Sequence, residues 1–94
     1  MTVRVTFLGV FKEAFGNGHI SLTLGPSRRL RDVITRLTAD SHRLKRVMID
    51  PELHDPRPNA VILVNGKEIG VLEGLETEVK DGDRIVFIPV THGG

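Results

Sequence analysis

Apolar and polar positions alternate over residues 2–8. Val3, Val5 and Phe7 fall on one face and Arg4, Thr6 and Leu8 on the other, which is the period of a half-buried strand. Residues 9–18 form a connector in which Phe11, Ala14 and Phe15 stand at the spacing of one helical turn, before Gly16-Asn17-Gly18 breaks the chain. Alternation resumes over 19–24, with Ile20, Leu22 and Leu24 inward, and the segment pairs with the first strand as a hairpin. Gly25-Pro26-Ser27 is a helix-start signal with Ser27 as cap. Leu30, Val33, Ile34 and Leu37 then make one apolar stripe, which Leu44, Val47 and Met48 extend after a break near Asp40-Ser41.

Residues 50–59 hold Pro51, Pro56 and Pro58 and form a loop. The run 60–64 is apolar throughout and ends in Asn65-Gly66, a tight-turn signal. A short edge strand over 67–71 follows. In the crossover 72–80, Leu75, Thr77 and Val79 alternate; Asp81-Gly82-Asp83 then turns the chain into a last strand over 84–90. Strands at both ends with helix only in the middle predict an α+β fold, one sheet with one main helix across it.

A helix covers one face of a sheet, so the other face should be polar. Here the last strand is apolar on both faces, and so is the 60–64 run. The uncovered side is therefore expected to expose a patch, assigned to Leu8, Ile62, Val64, Val86, Ile88 and Val90, that docks a partner. The alternative is that loop 49–59 folds over it.

Composition narrows the function classes. Ninety-four residues make a single domain, 1–94, with 39% apolar and 27% charged residues, an ordinary globular balance. No run approaches the roughly 18 apolar residues of a membrane span, and Met1-Thr2-Val3-Arg4 leads into a strand rather than a signal peptide. Cysteine is absent, which excludes disulfides, thiolate metal sites and a cysteine nucleophile; a cytoplasmic location is the default expectation. The net charge is only +1, yet residues 27–48 carry seven bases against two acids and residues 49–94 four bases against nine acids. Arg28, Arg29 and Arg31 are placed in the first helical turn, where the backbone dipole is already positive, at a cost of a few tenths of a kcal/mol each. They are either a solvated face or a contact for an anionic partner, an acidic protein patch or tRNA.

The sequence closes on Thr91-His92-Gly93-Gly94. Two glycines make a strand thin enough to enter a narrow slot. What such a tail delivers is its α-carboxylate, so Gly94 is the expected working group and Thr91, His92 and Gly93 the residues recognised around it. A flexible tail over about residues 91–94, starting from Val90, reaches at most roughly 14 Å, so the domain must dock close to wherever the carboxylate reacts.

Strand order and diglycine together resemble the ubiquitin-like β-grasp family of sulfur carriers and modifiers, over essentially the whole chain. Val5-Thr6-Phe7 with Phe11-Lys12-Glu13-Ala14-Phe15-Gly16 looks like the small subunit of molybdopterin synthase. Ile62-Leu63-Val64-Asn65, Gly74-Leu75-Glu76-Thr77, Asp81-Gly82-Asp83 and Phe87-Ile88-Pro89, with the ending His92-Gly93-Gly94, look closer to the ubiquitin-related modifier. Small archaeal modifier proteins share these traits, and the thiamin sulfur carrier belongs to the same group. The resemblance implies a mixed β-grasp sheet of four to five strands with one main helix packed across it. It also implies a protein that is not itself an enzyme, holds no cofactor, and is a monomer when free. An ATP-dependent activating enzyme of the ubiquitin-activating type would adenylate Gly94. A sulfurtransferase persulfide would then give a thiocarboxylate, and an acceptor enzyme (a tRNA thiolase or the molybdopterin synthase large subunit) would take the sulfur. In the modifier branch, a target lysine attacks the same carbonyl.

Other clusters carry less. His92 as a base for acyl chemistry is a weaker reading than His92 as a recognition residue. Asp50, Glu52, His54 and Asp55 have irregular spacing among prolines, so a solvated loop is favoured over a metal site. Gly16-Asn17-Gly18 lacks the strand–helix setting of a phosphate loop. No nucleophile–base pair stands out. A β-grasp RNA- or protein-binding module is the third class, weakened by the absence of Tyr and Trp as stacking platforms.

Overall fold

The computed structural model describes residues 1–26 and 28–90. Strand β1 (Thr2–Phe7) buries Val3, Val5 and Phe7. It pairs antiparallel with β2 (His19–Thr23) on one side and parallel with β7 (Arg84–Pro89) on the other. Strand β4 (Ala60–Val64) runs antiparallel to β7, and β5 (Lys67–Glu68) closes the sheet, giving the order β2-β1-β7-β4-β5. A second, two-stranded sheet joins β3 (Arg28–Arg29) to β6 (Glu78–Val79).

Among the described residues three α-helices pack on one face of the five-stranded mixed sheet. In α2 (Leu30–Asp40), Leu30, Val33, Ile34 and Leu37 are buried, as the stripe predicts. Ser41 ends α2 and opens α3 (His42–Met48): its N–H donates to the Leu37 carbonyl and its Oγ accepts from Leu44 N–H at 3.1 Å. Leu44 and Met48 carry the apolar face into the core. The predicted single turn is longer, a seven-residue helix α1 (Gly9–Phe15), which seats Phe11 in the core. Phe7 stacks on Phe87 with ring centroids 5.5 Å apart and meets Phe15 at 4.8 Å.

Turn chemistry holds the strands in register. Asn65 and Gly66 both take positive φ, 51° and 82°, the conformation of a two-residue hairpin turn. Asn65 Nδ2 donates to Asp83 Oδ1 at 2.9 Å, and Asn65 Oδ1 accepts from Arg84 N–H at 2.9 Å. The Asp81-Gly82-Asp83 turn is tied to β1, because Thr2 N–H donates to Asp81 Oδ1 at 2.7 Å and Gly82 N–H donates to the Thr2 carbonyl.

The helix start differs from the sequence expectation. Ser27 as cap lies outside the described residues. Arg28 and Arg29 are not in the first turn: they are extended in β3, with Arg29 at the N-cap position and Asp32 Oδ2 accepting from its N–H at 3.0 Å. Long-range pairing outweighs the local start signal here, since Leu30 N–H donates to the Thr77 carbonyl at 2.8 Å. The predicted strand over 67–71 is likewise shorter. It gives way to a 3-10 turn, Ile69–Val71, whose Gly70 N–H is taken by the Glu68 carboxylate.

Gly9 links the sheet to α1 at φ 53°, and a Cβ there would stand 3.0 Å from Pro89 Cγ. Both strain and contact oppose a side chain. Gly9→Ala is expected to lower stability by about 1–2 kcal/mol or more, measured by urea denaturation.

Candidate functional site

The end of β7 is held from both sides. Leu8 N–H donates to the Phe87 carbonyl at 3.1 Å, Ala60 pairs with Pro89, and Val90 N–H donates to the Asn59 carbonyl at 2.9 Å. The segment that leads to the diglycine thus leaves the sheet at a defined point between Leu8 and Asn59. Thr91, His92, Gly93 and Gly94 themselves lie outside the described residues.

Beside this exit the helix-free face of the sheet is apolar. Leu63 is paired with Val86, and Val61 with Ile88. Leu8 and Val61 are 42% and 38% exposed, while Leu63, Val86, Ile88 and Val90 are half-buried. The expected patch needs correction at two positions. Ile62 (1% exposed) and Val64 (5%) point into the core, opposite Phe87 and Ile85. Val61 and Leu63 are their outward neighbours. An all-apolar strand carries no polar residue to mark its phase, so a one-residue error exchanges its two faces. The signal available was the last strand: residues paired across an antiparallel ladder share a face.

Loop 49–59 does not cover this face. His54 and Pro56 line a cleft with Ile34, Thr35 and Thr38 of α2, and Asn59 Nδ2 donates to the Met48 carbonyl at 3.2 Å, so the loop packs on the helix side. Two of its acidic residues, Asp50 and Asp55, are occupied locally. Asp50 Oδ1 accepts from the N–H groups of Glu52 and Leu53 at 2.9 and 2.8 Å. Asp55 holds the Arg57 guanidinium, with 2.6 Å from Nη2 to Oδ2. Among the described residues no group of three or more His, Asp or Glu is placed to hold a metal ion.

The arginine cluster is drawn elsewhere. Arg31 Nε donates to Glu76 Oε1 at 2.6 Å, and Arg29 Nη1 donates to the Glu76 carbonyl at 3.0 Å. The Arg28 guanidinium lies against Gly25, beyond the end of β2 that pairs with Thr2. That end of the sheet is opposite the one where Leu8 meets Phe87, so the three arginines and the tail exit are not brought together.

A small α+β sheet gripping a helix, an unpaired apolar face and a chain exit beside it define the ubiquitin-like β-grasp class of carrier and modifier proteins. The chain belongs to the ThiS family, whose model matches residues 5–94. It is 30% identical to small archaeal modifier protein 3 of Haloferax volcanii over 95 residues, covering 100% of both chains. The solution structure of small archaeal modifier protein 1 from Methanosarcina acetivorans superposes with a TM-score of 0.85 at 32% identity, covering 99% of this chain and 96% of that one. Over 37 residues, 39% of this chain and 42% of the relative, it is 46% identical to a putative sulfur carrier protein of Archaeoglobus fulgidus. Proteins of this family are carriers and modifiers, not catalysts. No helix among the described residues is long and apolar enough to cross a membrane.

Two measurements check the site's frame. Ile62→Ala is expected to cost about 2–5 kcal/mol as a core truncation, and Val61→Ala no more than about 0.5–1 kcal/mol, as for surface positions, both from urea midpoints. The hydrogen bond from Arg57 holds the Asp55 carboxyl below the usual carboxylate range. Its contribution is therefore complete above the unfolded value of about 3.9 and lost as pH falls through the folded value. Asp55→Asn should lower stability at neutral pH and flatten that acid limb by the same amount, so that the two curves meet at low pH; the amount is small because Arg57 is largely exposed.

Proposed function

We propose that this protein is a sulfur carrier whose Gly94 carboxylate is the substrate of partner enzymes. The observation that carries the reading is the family match, which runs through residue 94 and so takes in both glycines. A carboxylate is a poor acyl electrophile because oxide would have to leave. Attack of a Gly94 oxygen on the α-phosphorus of ATP, in a partner of the ubiquitin-activating type, forms a mixed anhydride and releases pyrophosphate. The terminal sulfur of a sulfurtransferase persulfide then attacks the acyl carbon and AMP leaves. Cleavage of the resulting S–S bond by a second partner thiol frees the thiocarboxylate and leaves a partner disulfide. The sulfur passes on to an acceptor enzyme acting on a tRNA uridine or a pterin precursor. Glycine suits both final positions, since a β-carbon would crowd the slot and the acyl carbon.

In this scheme the outer apolar face is the docking surface. Val90 is the last described residue before the tail, and a four-residue tail spans at most roughly 14 Å. Partners must therefore seat on residues near the exit, and Leu8, Val61, Leu63 and Ile88 are the apolar ones there. ATP belongs to the partner. A second reading, conjugation through an isopeptide bond between Gly94 and a target lysine, draws support from the relatives named as archaeal modifiers; the two fates share the adenylate and are compatible in one protein in the cytoplasm.

Incubation with the host's activating enzyme, ATP and a sulfur source, followed by intact-mass analysis, tests this reading. Oxygen-to-sulfur exchange at the C-terminus is the expected result; lysines bearing diglycine remnants would assign the modifier fate, and deletion of Gly94 is expected to abolish both. A double Leu8→Asp, Val61→Asp variant should raise the KM of the activating enzyme for this protein at least tenfold, equivalent to about 1.4 kcal/mol. The kcat should stay nearly unchanged, and the urea midpoint should fall somewhat further than for Val61→Ala with the variant still folded without urea.

A further inference from the structure

The two edges of the five-stranded sheet are built differently. β5 is two residues long and both are charged, Lys67 and Glu68. β2 runs five residues, His19–Thr23, without lysine, arginine, acid or proline. Edge strands are usually blunted by charge, proline or shortness, because their unpaired N–H and C=O groups accept another strand.

Its ladder shows which groups are open. Met1 and Leu24 exchange both hydrogen bonds, at 2.7 and 3.2 Å, and Phe7 N–H donates to the Gly18 carbonyl at 2.9 Å. Bonded and non-bonded pairs alternate in an antiparallel ladder, so Leu22 and Ile20 bond to β1, while Ser21 and Thr23 turn their N–H and C=O groups away from it. His19 faces outward too, but its N–H is taken by Asn17 Oδ1 at 3.1 Å. Among the described residues nothing binds the outward backbone groups of Ser21 and Thr23.

The edge has two chemically distinct sides. On the helix-free face, Ser21, Arg4 and Arg84 stand in one row across β2, β1 and β7. They line a shallow cleft of about 610 Å³ with His19, Thr6 and Val86. Both arginines are exposed and, among the described residues, neither guanidinium has a carboxylate partner. Ser21 is small enough to leave Arg4 a path to the edge. On the helix side, Ile20 is half-buried and Leu22 buried.

We propose that the β2 edge docks an extended peptide segment that alternates acidic and apolar residues, added as a sixth strand. Its backbone bonds to Ser21 and Thr23. Its acidic side chains point over the helix-free face toward Arg4 and Arg84, and its apolar ones lie beside Ile20, as the two-residue period of a strand requires. An added strand stands about 5 Å outside β2 and about 10 Å from β1, a gap that an extended arginine and a glutamate span together. Charge selects the occupant. A second copy paired edge to edge would bring like-charged Arg4 rows together, and a nucleic acid would answer the arginines but not the strand's N–H and C=O groups. The site is independent of what becomes of Gly94.

The test uses the full chain, 15N-labelled, and an acetylated, amidated hexapeptide alternating valine and glutamate. Saturable shifts and slowed amide exchange at Ser21 and Thr23 are expected, and a valine–lysine counterpart should produce neither. Arg4→Glu and, separately, Arg84→Glu should weaken binding, Arg4→Glu at least tenfold, with unchanged urea midpoints. Ser21→Pro, tolerated where an edge N–H faces outward, should remove the protection at Thr23. The proposal fails if both peptides bind alike or if shifts avoid β2. It fails equally if oligouridylate gives the same protection, or if sedimentation shows a dimer that protects Ser21 and Thr23 without peptide.

Discussion

The parallel pairing of β1 with β7 is the constraint on which the rest of the fold depends. The first and last strands lie side by side at the centre of the sheet, each with an antiparallel neighbour on its outer side. β2 and β4 consequently run in the same direction on opposite flanks. The chain between them must cross the sheet face, and a crossover of that kind is most readily made by a helix. That is the place of α2, whose four buried apolar residues close the core. The same pairing carries the end of β7 to Leu8 and sets the exit of the C-terminal segment beside the face that no helix covers.

The two faces of the sheet divide the work. Loop 49–59 and all three helices gather on one side, where the prolines, the Asp50 turn and the Asp55–Arg57 pair stiffen a connection that would otherwise be mobile. Among the described residues, the other side is left to side chains alone. Its apolar strip near the tail exit and its exposed arginines farther along β1 and β7 are in register with each other, because both follow from the same ladder. Glu76, by contrast, neutralises Arg31 on the helix side, so the basic run that dominates the sequence is not what the helix-free face presents.

Much of this was legible before any coordinates. Alternation in 2–8 and 19–24 and the Leu30–Val33–Ile34–Leu37 stripe are strong periodic signals, and Asn65-Gly66 is a turn whose chemistry is local. What escaped was set by partners distant in sequence. Arg28 and Arg29 are extended because Glu78 and Val79 lie beside them, a fact that no local start signal contains. The phase of β4 escaped for the opposite reason: every residue from Ala60 to Val64 is apolar, so only its pairing with Ile85 and Phe87 decides which side faces the core. The outward pair Val61 and Leu63 became visible only through that register.

The bonds that anchor β7 on both sides also have a mechanical meaning. A load applied through the C-terminal segment acts along the axis of a central strand, with β1 on one flank and β4 on the other. Its hydrogen bonds lie across that axis, so they share the load in shear rather than opening one after another like a zip. A protein of this shape, held by its tail, would resist being drawn out from that end far better than a tail leaving an edge strand. The domain can therefore be tethered by its last residues and pulled upon without losing the surface that sits beside them.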